Sequence, residues 1–172
     1  MKKVLSLAAF LLFVTFSFAQ IKGRQVPSVK IKNLDFENIN TADVIQNGGD
    51  PIIISFWATW CSPCKRELNT IRDMYPDWQA ETGVKLVAVS IDDARNINKV
   101  PTYVYGQGWE YDVLLDPNGD FKRAMNVNNV PHTFLIDGDG KIVWHHNSYQ
   151  PGDEEELFRL VQALSNGKEL DH

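Results

Sequence analysis

Cys61 and Cys64 are the only cysteines in this chain of 172 residues. They stand in the order Trp60-Cys61-Ser62-Pro63-Cys64-Lys65, directly after the apolar run Pro51-Ile52-Ile53-Ile54-Ser55-Phe56-Trp57. Two thiols three residues apart on a first helical turn can close into a disulfide, or reopen, with little backbone movement. The N-terminus of a helix carries partial positive charge and N–H groups without partners in the helix, so it stabilises a thiolate on the first cysteine. Pro63 suits this placement, because the first turn is the stretch of a helix that does not use its N–H. The pattern describes a redox switch. A short structural disulfide is the plainer alternative, but a loop this small restrains few unfolded conformations and stabilises little.

The elements that must position this pair follow from periodicity. The run before the cysteines is apolar for most of its length, as expected of a central strand in a sheet covered on both faces. Leu68, Ile71, Tyr75 and Trp78 recur at helical spacing after Pro63; Pro76 is expected to kink that helix or divide it in two, and Gly83 to end it. Upstream, 29–32 and 36–39 alternate apolar and polar residues and predict a small hairpin at one edge. Downstream, Lys85–Asp92 is a second buried strand, Pro101 starts a short helix, Tyr111–Leu115 is a strand and Asp120–Met125 a short helix. His132–Ile136 and Lys141–His145 are strands joined by an Asp137-Gly138-Asp139-Gly140 turn. That turn lacks the closing Glu of a calcium loop. Leu157, Leu160, Val161 and Leu164 line a last helix, whose first turn carries four acids, 153–156. Strands alternating with helices, then a hairpin and a closing helix, make one α/β domain with a mixed sheet.

Residues 1–19 form a secretory signal pattern: a basic start at Lys2 and Lys3, an apolar run and a small residue, Ala19, at the expected junction. Expected next are a flexible arm at 20–28, the folded domain at 29–167 and a C-terminal tail at 168–172. The net charge of −5 becomes −7 once Lys2 and Lys3 are removed. With no basic cluster, such a chain is a poor binder of nucleic acid. A protein bound for an oxidising compartment with only two cysteines, closely spaced, has no disulfide framework to speak of.

The segment Phe56-Trp57-Ala58-Thr59-Trp60-Cys61-x-Pro63-Cys64-Lys65, followed by Val130-Pro131 and a strand–turn–strand–helix ending, resembles the thioredoxin superfamily. More narrowly it is similar to the secreted thiol–disulfide oxidoreductases of the TlpA/ResA type, over about residues 26–166. The resemblance implies a thioredoxin-like α/β fold, a central mixed sheet flanked by helices, with an N-terminal hairpin and an extra strand–helix insertion near 82–108. It implies that Pro131 is a cis-proline beside Cys61 and that Val130 offers backbone groups to an extended substrate strand. It further implies a monomer of the periplasm or cell envelope acting as a reductant. A membrane donor would resupply its electrons, and apocytochrome c thiols or copper-site cysteines are its class of partner.

Two departures accompany the resemblance. Where cytosolic thioredoxins bury an Asp, six residues before the first cysteine, this chain has Ser55. ResA-like proteins carry a Glu three residues after the second cysteine, here Glu67; as an i,i+3 neighbour it can exchange a proton with Cys64, or it is simply an exposed residue near a helix start. Asn69 stands where many relatives have a helix-bending proline.

In the mechanism these features imply, Cys61 is the nucleophile and the more exposed thiol, and Cys64 is buried and resolves the mixed disulfide. Trp57 is expected in the core and Trp60 against a partner. The dithiol is itself the redox group, so no organic cofactor is called for. One alternative of another class is copper binding or metallochaperone activity through Cys61, Cys64 and His132. His145 and His146 alternate across a strand and cannot serve one ion together. A peroxidase of the related peroxiredoxin branch fits less well, because such enzymes resemble this fold but place Thr-x-x-Cys at the active turn. Here position 58 is Ala.

Overall fold

The computed structural model describes residues 23–170, so the leader expected at 1–19 lies outside them. In chain order the elements are β1 (Lys30–Lys32), β2 (Asn38–Asn40), α1 (Thr41–Val44), β3 (Ile52–Trp57), α2 (Ser62–Thr82), β4 (Lys85–Ser90), α3 (Lys99–Gln107), β5 (Asp112–Leu115), α4 (Asp120–Ala124), β6 (His132–Ile136), β7 (Ile142–Asn147) and α5 (Asp153–Ser165). They build a mixed sheet in the order β2-β1-β5-β4-β3-β6-β7, with helices on both faces. The fold is the thioredoxin-like one that the sequence implies. β3 runs parallel to β4, and β4 to β5, while β6 lies antiparallel on the other side of β3. All six residues of β3 are buried, as a run of near-continuous apolar side chains requires.

Alternation along the strands divides the core in two. Ile53, Trp57, Leu86, Ala88 and Leu135 face α2, α3 and α5. Ile54, Phe56, Val87, Val89 and Phe134 face the other way, against Phe121 of α4. The period of two in each strand thus decides which side chains can reach the dithiol.

Two expectations change. Helix α2 continues through Pro76 and is not divided there. Proline withholds one backbone N–H, but Tyr75 and Trp78 on either side of it are buried in the core, and that burial outweighs one missing hydrogen bond. Residues 23–28, expected within a flexible arm, are instead tied down. Gly23 N–H bonds the Ile142 carbonyl at 2.6 Å, Ile142 N–H the Arg24 carbonyl at 2.9 Å, and Val26 N–H the Gly140 carbonyl at 3.1 Å. At the C-terminal end, Leu170 packs back against the core.

The hairpin turn at 137–140 forms as read. Asp137 Oδ1 accepts the backbone N–H groups of Asp139 and Lys141. Gly138 is required there by contact rather than by φ, since a Cβ would run into the Gly49 carbonyl. Gly83 ends α2 in the left-handed region, φ 69°.

Candidate active site

The site is the junction of β3 and α2. After Trp57 the chain turns through Ala58-Thr59-Trp60, with Cys61 N–H bonded to the Ala58 carbonyl at 3.0 Å. Cys61 is the N-cap of α2, and Pro63 lies in the first turn. Cys61 Sγ accepts the backbone N–H of Cys64 at 3.3 Å. The same sulfur is joined to Cys64 in a disulfide, with Cα atoms 5.4 Å apart. A helix N-terminus therefore points an N–H at the sulfur that would carry charge once the pair is reduced. Cys61 is 5% exposed and Cys64 fully buried, the order expected of a nucleophile and a resolving thiol.

The turn is held by a residue that sequence reading overlooks. Asp92, 1% exposed, follows β4. Its carboxylate accepts Thr59 N–H at 2.8 Å, the Thr59 hydroxyl at 2.6 Å and the Ser90 hydroxyl at 2.8 Å. Only the register of β3 on β4, which pairs Trp57 with Ser90, brings these groups together. The one sequence signal was a charged residue directly after a buried strand.

Glu67 is in the interior, 5% exposed, and not the solvent-facing residue of the plainer alternative. It approaches from α2 toward β6, where the Thr133 hydroxyl donates to Oε1 at 2.6 Å and lies 3.1 Å from Ser55 Oγ. Its other oxygen, Oε2, is buried with no partner. Burial raises the carboxyl to about 7; the Thr133 hydrogen bond lowers it, and the charges of Asp153 and Glu154 at the start of α5 raise it. The Thr133 hydroxyl thus lies between the carboxylate and Ser55 on β3.

The Val130–Pro131 peptide is cis. The β3–β6 ladder pairs Phe56 with His132, so Val130 and Pro131 lie just beyond it, beside the end of β3 that leads into the cysteines. Val130 is half-buried, and Trp60 is 63% exposed next to Cys61. Trp57 is in the core, 4.7 Å from the ring of Trp109 and 5.6 Å from that of Tyr103. Asn69, at the position of the absent bending proline, ties α2 to this cluster. It accepts the Trp109 indole N–H at 2.8 Å and donates to the Tyr103 hydroxyl at 3.3 Å.

His132 does not join the cysteines. It follows Pro131, but its ring stacks on Phe134 at 4.1 Å and meets His145 at 3.2 Å between Nε2 and Nδ1. Those residues share the sheet face opposite α2, while Thr133 faces α2 and bonds Glu67. Burial and the neighbouring histidines lower His132 to about 4. Among the described residues no three His, Cys, Asp or Glu side chains form a group that could hold a metal ion. The copper alternative built on Cys61, Cys64 and His132 therefore loses its geometry. His146 lies on the other face of β7, 3.4 Å from Asp153. Ala58 is buried and brings no hydroxyl to the turn.

Comparison with known proteins agrees with this geometry. The AhpC/TSA family matches residues 22–145. The thiol-disulfide oxidoreductase ResA of Bacillus thuringiensis subsp. konkukian is 28% identical over 136 residues, which cover 79% of this chain and 75% of that protein. Among solved structures, a thioredoxin-like protein from Porphyromonas gingivalis has a TM-score of 0.73 and 50% identity, covering 86% of this chain and 95% of its own. A putative thiol:disulfide interchange protein DsbE from Chlorobium tepidum has a TM-score of 0.72 at 27% identity, covering 84% and 97%.

Proposed function

The chain belongs to the AhpC/TSA family, and on that footing we propose that this thiol–disulfide oxidoreductase exchanges disulfides with partner proteins in the cell envelope, working as a reductant. The observation that carries the reading is the Cys61–Cys64 disulfide at the N-cap of α2, with the Cys64 N–H on Cys61 Sγ.

In the reduced protein Cys61 is the thiolate. It attacks one sulfur of a partner's disulfide, forming a Cys61–partner bond and expelling the partner's other sulfur as a thiolate. The Cys64 thiol then gives its proton to Glu67, one helical turn away, and attacks Cys61 Sγ. The Cys61–Cys64 disulfide forms and the partner leaves with both sulfurs reduced. Two electrons pass to the partner, and an external donor must return them. A carboxyl near 7 suits this exchange, because it both takes and returns a proton close to neutrality. Val130 presents backbone to an extended partner strand beside Pro131, and Trp60 contacts the partner. The secretory pattern at 1–19 and the likeness to ResA support an envelope location. Apocytochrome c thiols or copper-site cysteines are the proposed partner class, and a membrane protein is the proposed donor.

The test is Cys64→Ala expressed in cells. Mixed disulfides between Cys61 and partner proteins should accumulate and be released by dithiothreitol. No adduct, together with failure of the parent protein to reduce a small disulfide, contradicts the reading.

A further inference from the structure

A groove of about 670 Å³ opens directly beside the active turn. Trp60 forms one wall, and Lys99, Thr102, Tyr103 and Gly106 of α3 form the other. Its aromatic side is fixed in place: the Tyr103 ring packs 5.6 Å from Trp57 and 5.5 Å from Trp109, and its hydroxyl accepts a hydrogen bond from Asn69. Such a surface needs no ordering when something binds. Trp60 and Tyr105 are two of the three large hydrophobic side chains exposed among the described residues, and one is on the groove while the other is on the helix that forms it.

The charge of the groove runs against that of the chain. The protein carries −5, yet no carboxylate lines the groove and Lys99 does. The Lys65 ammonium lies 5.6 Å from the centroid of the Tyr103 ring. During exchange the partner's cysteine is bonded to Cys61, the residue after Trp60. A partner strand leaving that bond advances roughly 3.3 Å per residue, so its second or third residue arrives at the groove.

We propose that this groove is a specificity subsite of the exchange reaction, taking an aromatic side chain two residues from the partner's reacting cysteine, next to an acidic residue that meets Lys99. The subsite rests on the disulfide-exchange reading above. It lies on the α3 side of the turn, away from Val130 and Pro131, and selects among partners rather than performing the chemistry.

Gly106 supplies the test. It is helical, and a Cβ added there meets nothing within 4 Å, so Gly106→Phe fills the groove without straining the backbone. Rates of thiol exchange are measured with reduced protein against three disulfides. These are bis(2-hydroxyethyl) disulfide, and the peptides Cys-Ala-Trp-Glu and Cys-Ala-Ala-Lys, each capped on sulfur with 2-hydroxyethanethiol. The parent should favour the Trp-Glu peptide over the Ala-Lys peptide about tenfold, the low end for a filled apolar pocket. Gly106→Phe should abolish that preference and leave the rate with the small disulfide within twofold. With a fourth disulfide, the Cys-Ala-Trp-Lys peptide capped in the same way, Lys99→Glu should move the preference toward this peptide and away from Trp-Glu. If the parent treats both peptides alike, or Gly106→Phe leaves the preference intact, the subsite is overturned and the exchange reading stands. A parent unreactive toward all three disulfides overturns the exchange reading and the subsite with it.

Discussion

Two carboxylates are buried within reach of the active turn, and they are kept there differently. Asp92 accepts three hydrogen bonds, all from Thr59 and Ser90. Glu67 accepts one, leaves Oε2 without a partner and faces the acidic start of α5. A buried carboxylate whose acceptor sites are filled is a clamp: it fixes the groups that bond to it. One that is buried, short of donors and near other negative charge holds a proton close to neutrality. Burial alone says nothing about role; the count of donors separates the two.

Removing the clamp should have the largest effect. Asp92→Ala leaves the buried Ser90 hydroxyl and the half-buried Thr59 N–H and hydroxyl without their acceptor, at about 1–3 kcal/mol for a fully buried group and less for the others. A loss of about 3 kcal/mol or more in urea unfolding is expected, with slower exchange as the turn before Cys61 loosens. A cost under about 1 kcal/mol would make Asp92 a bystander.

The next effect is a pH dependence of stability with opposed parts. Glu67 rises from 4.5 to about 7 on folding, so the folded protein holds the extra proton, and stability falls as pH rises from about 4.5 to 7. His132 drops from 6.5 to about 4, so the unfolded chain holds that proton, and stability rises with pH over nearly the same window. Each contributes about 3 kcal/mol at most, and the two contributions oppose each other. Unfolding titrations of Glu67→Gln should show a net rise with pH, and those of His132→Phe a net fall. Flat profiles in both variants would contradict the assignment of either group.

Slightly smaller is the kinetic effect of Glu67→Gln. The second step, release of the partner from Cys61, should slow about a hundredfold, the low end for a positioned proton acceptor, with attack by Cys61 little changed. Stopped-flow separation of the two steps checks this; equal slowing of both would argue that Glu67 acts on packing. The smallest effect belongs to Asn69→Leu, which leaves the Trp109 indole N–H unpaired and should cost about 1 kcal/mol.

These contrasts also mark what was legible in the sequence. The strand, turn and helix around Cys61 and Cys64 follow from apolar runs, a C-x-x-C spacing and Pro63, all local signals. The identity of Glu67 was visible, but not its burial, because that depends on Thr133, 66 residues away. The Asp92–Thr59 and Asn69–Trp109 bonds span 33 and 40 residues and leave no periodic trace. Pro76 does not divide α2, because Tyr75 and Trp78 have a core to fill where local propensity says break. The copper alternative through His132 drops out for a geometric reason: adjacency to Pro131 in sequence is lost when a strand sends neighbouring side chains to opposite faces.

Disulfide exchange by this protein turns on the acidity of one sulfur. The measurement that tests it most directly is the pH dependence of alkylation of the reduced protein, followed separately at each cysteine by mass spectrometry. Cys61 should react first, with a midpoint well below the ordinary thiol value of about 8.5, and Cys64 far more slowly. A Cys61 that titrates like free cysteine, or a Cys61–Cys64 disulfide that excess dithiothreitol does not open, would contradict it.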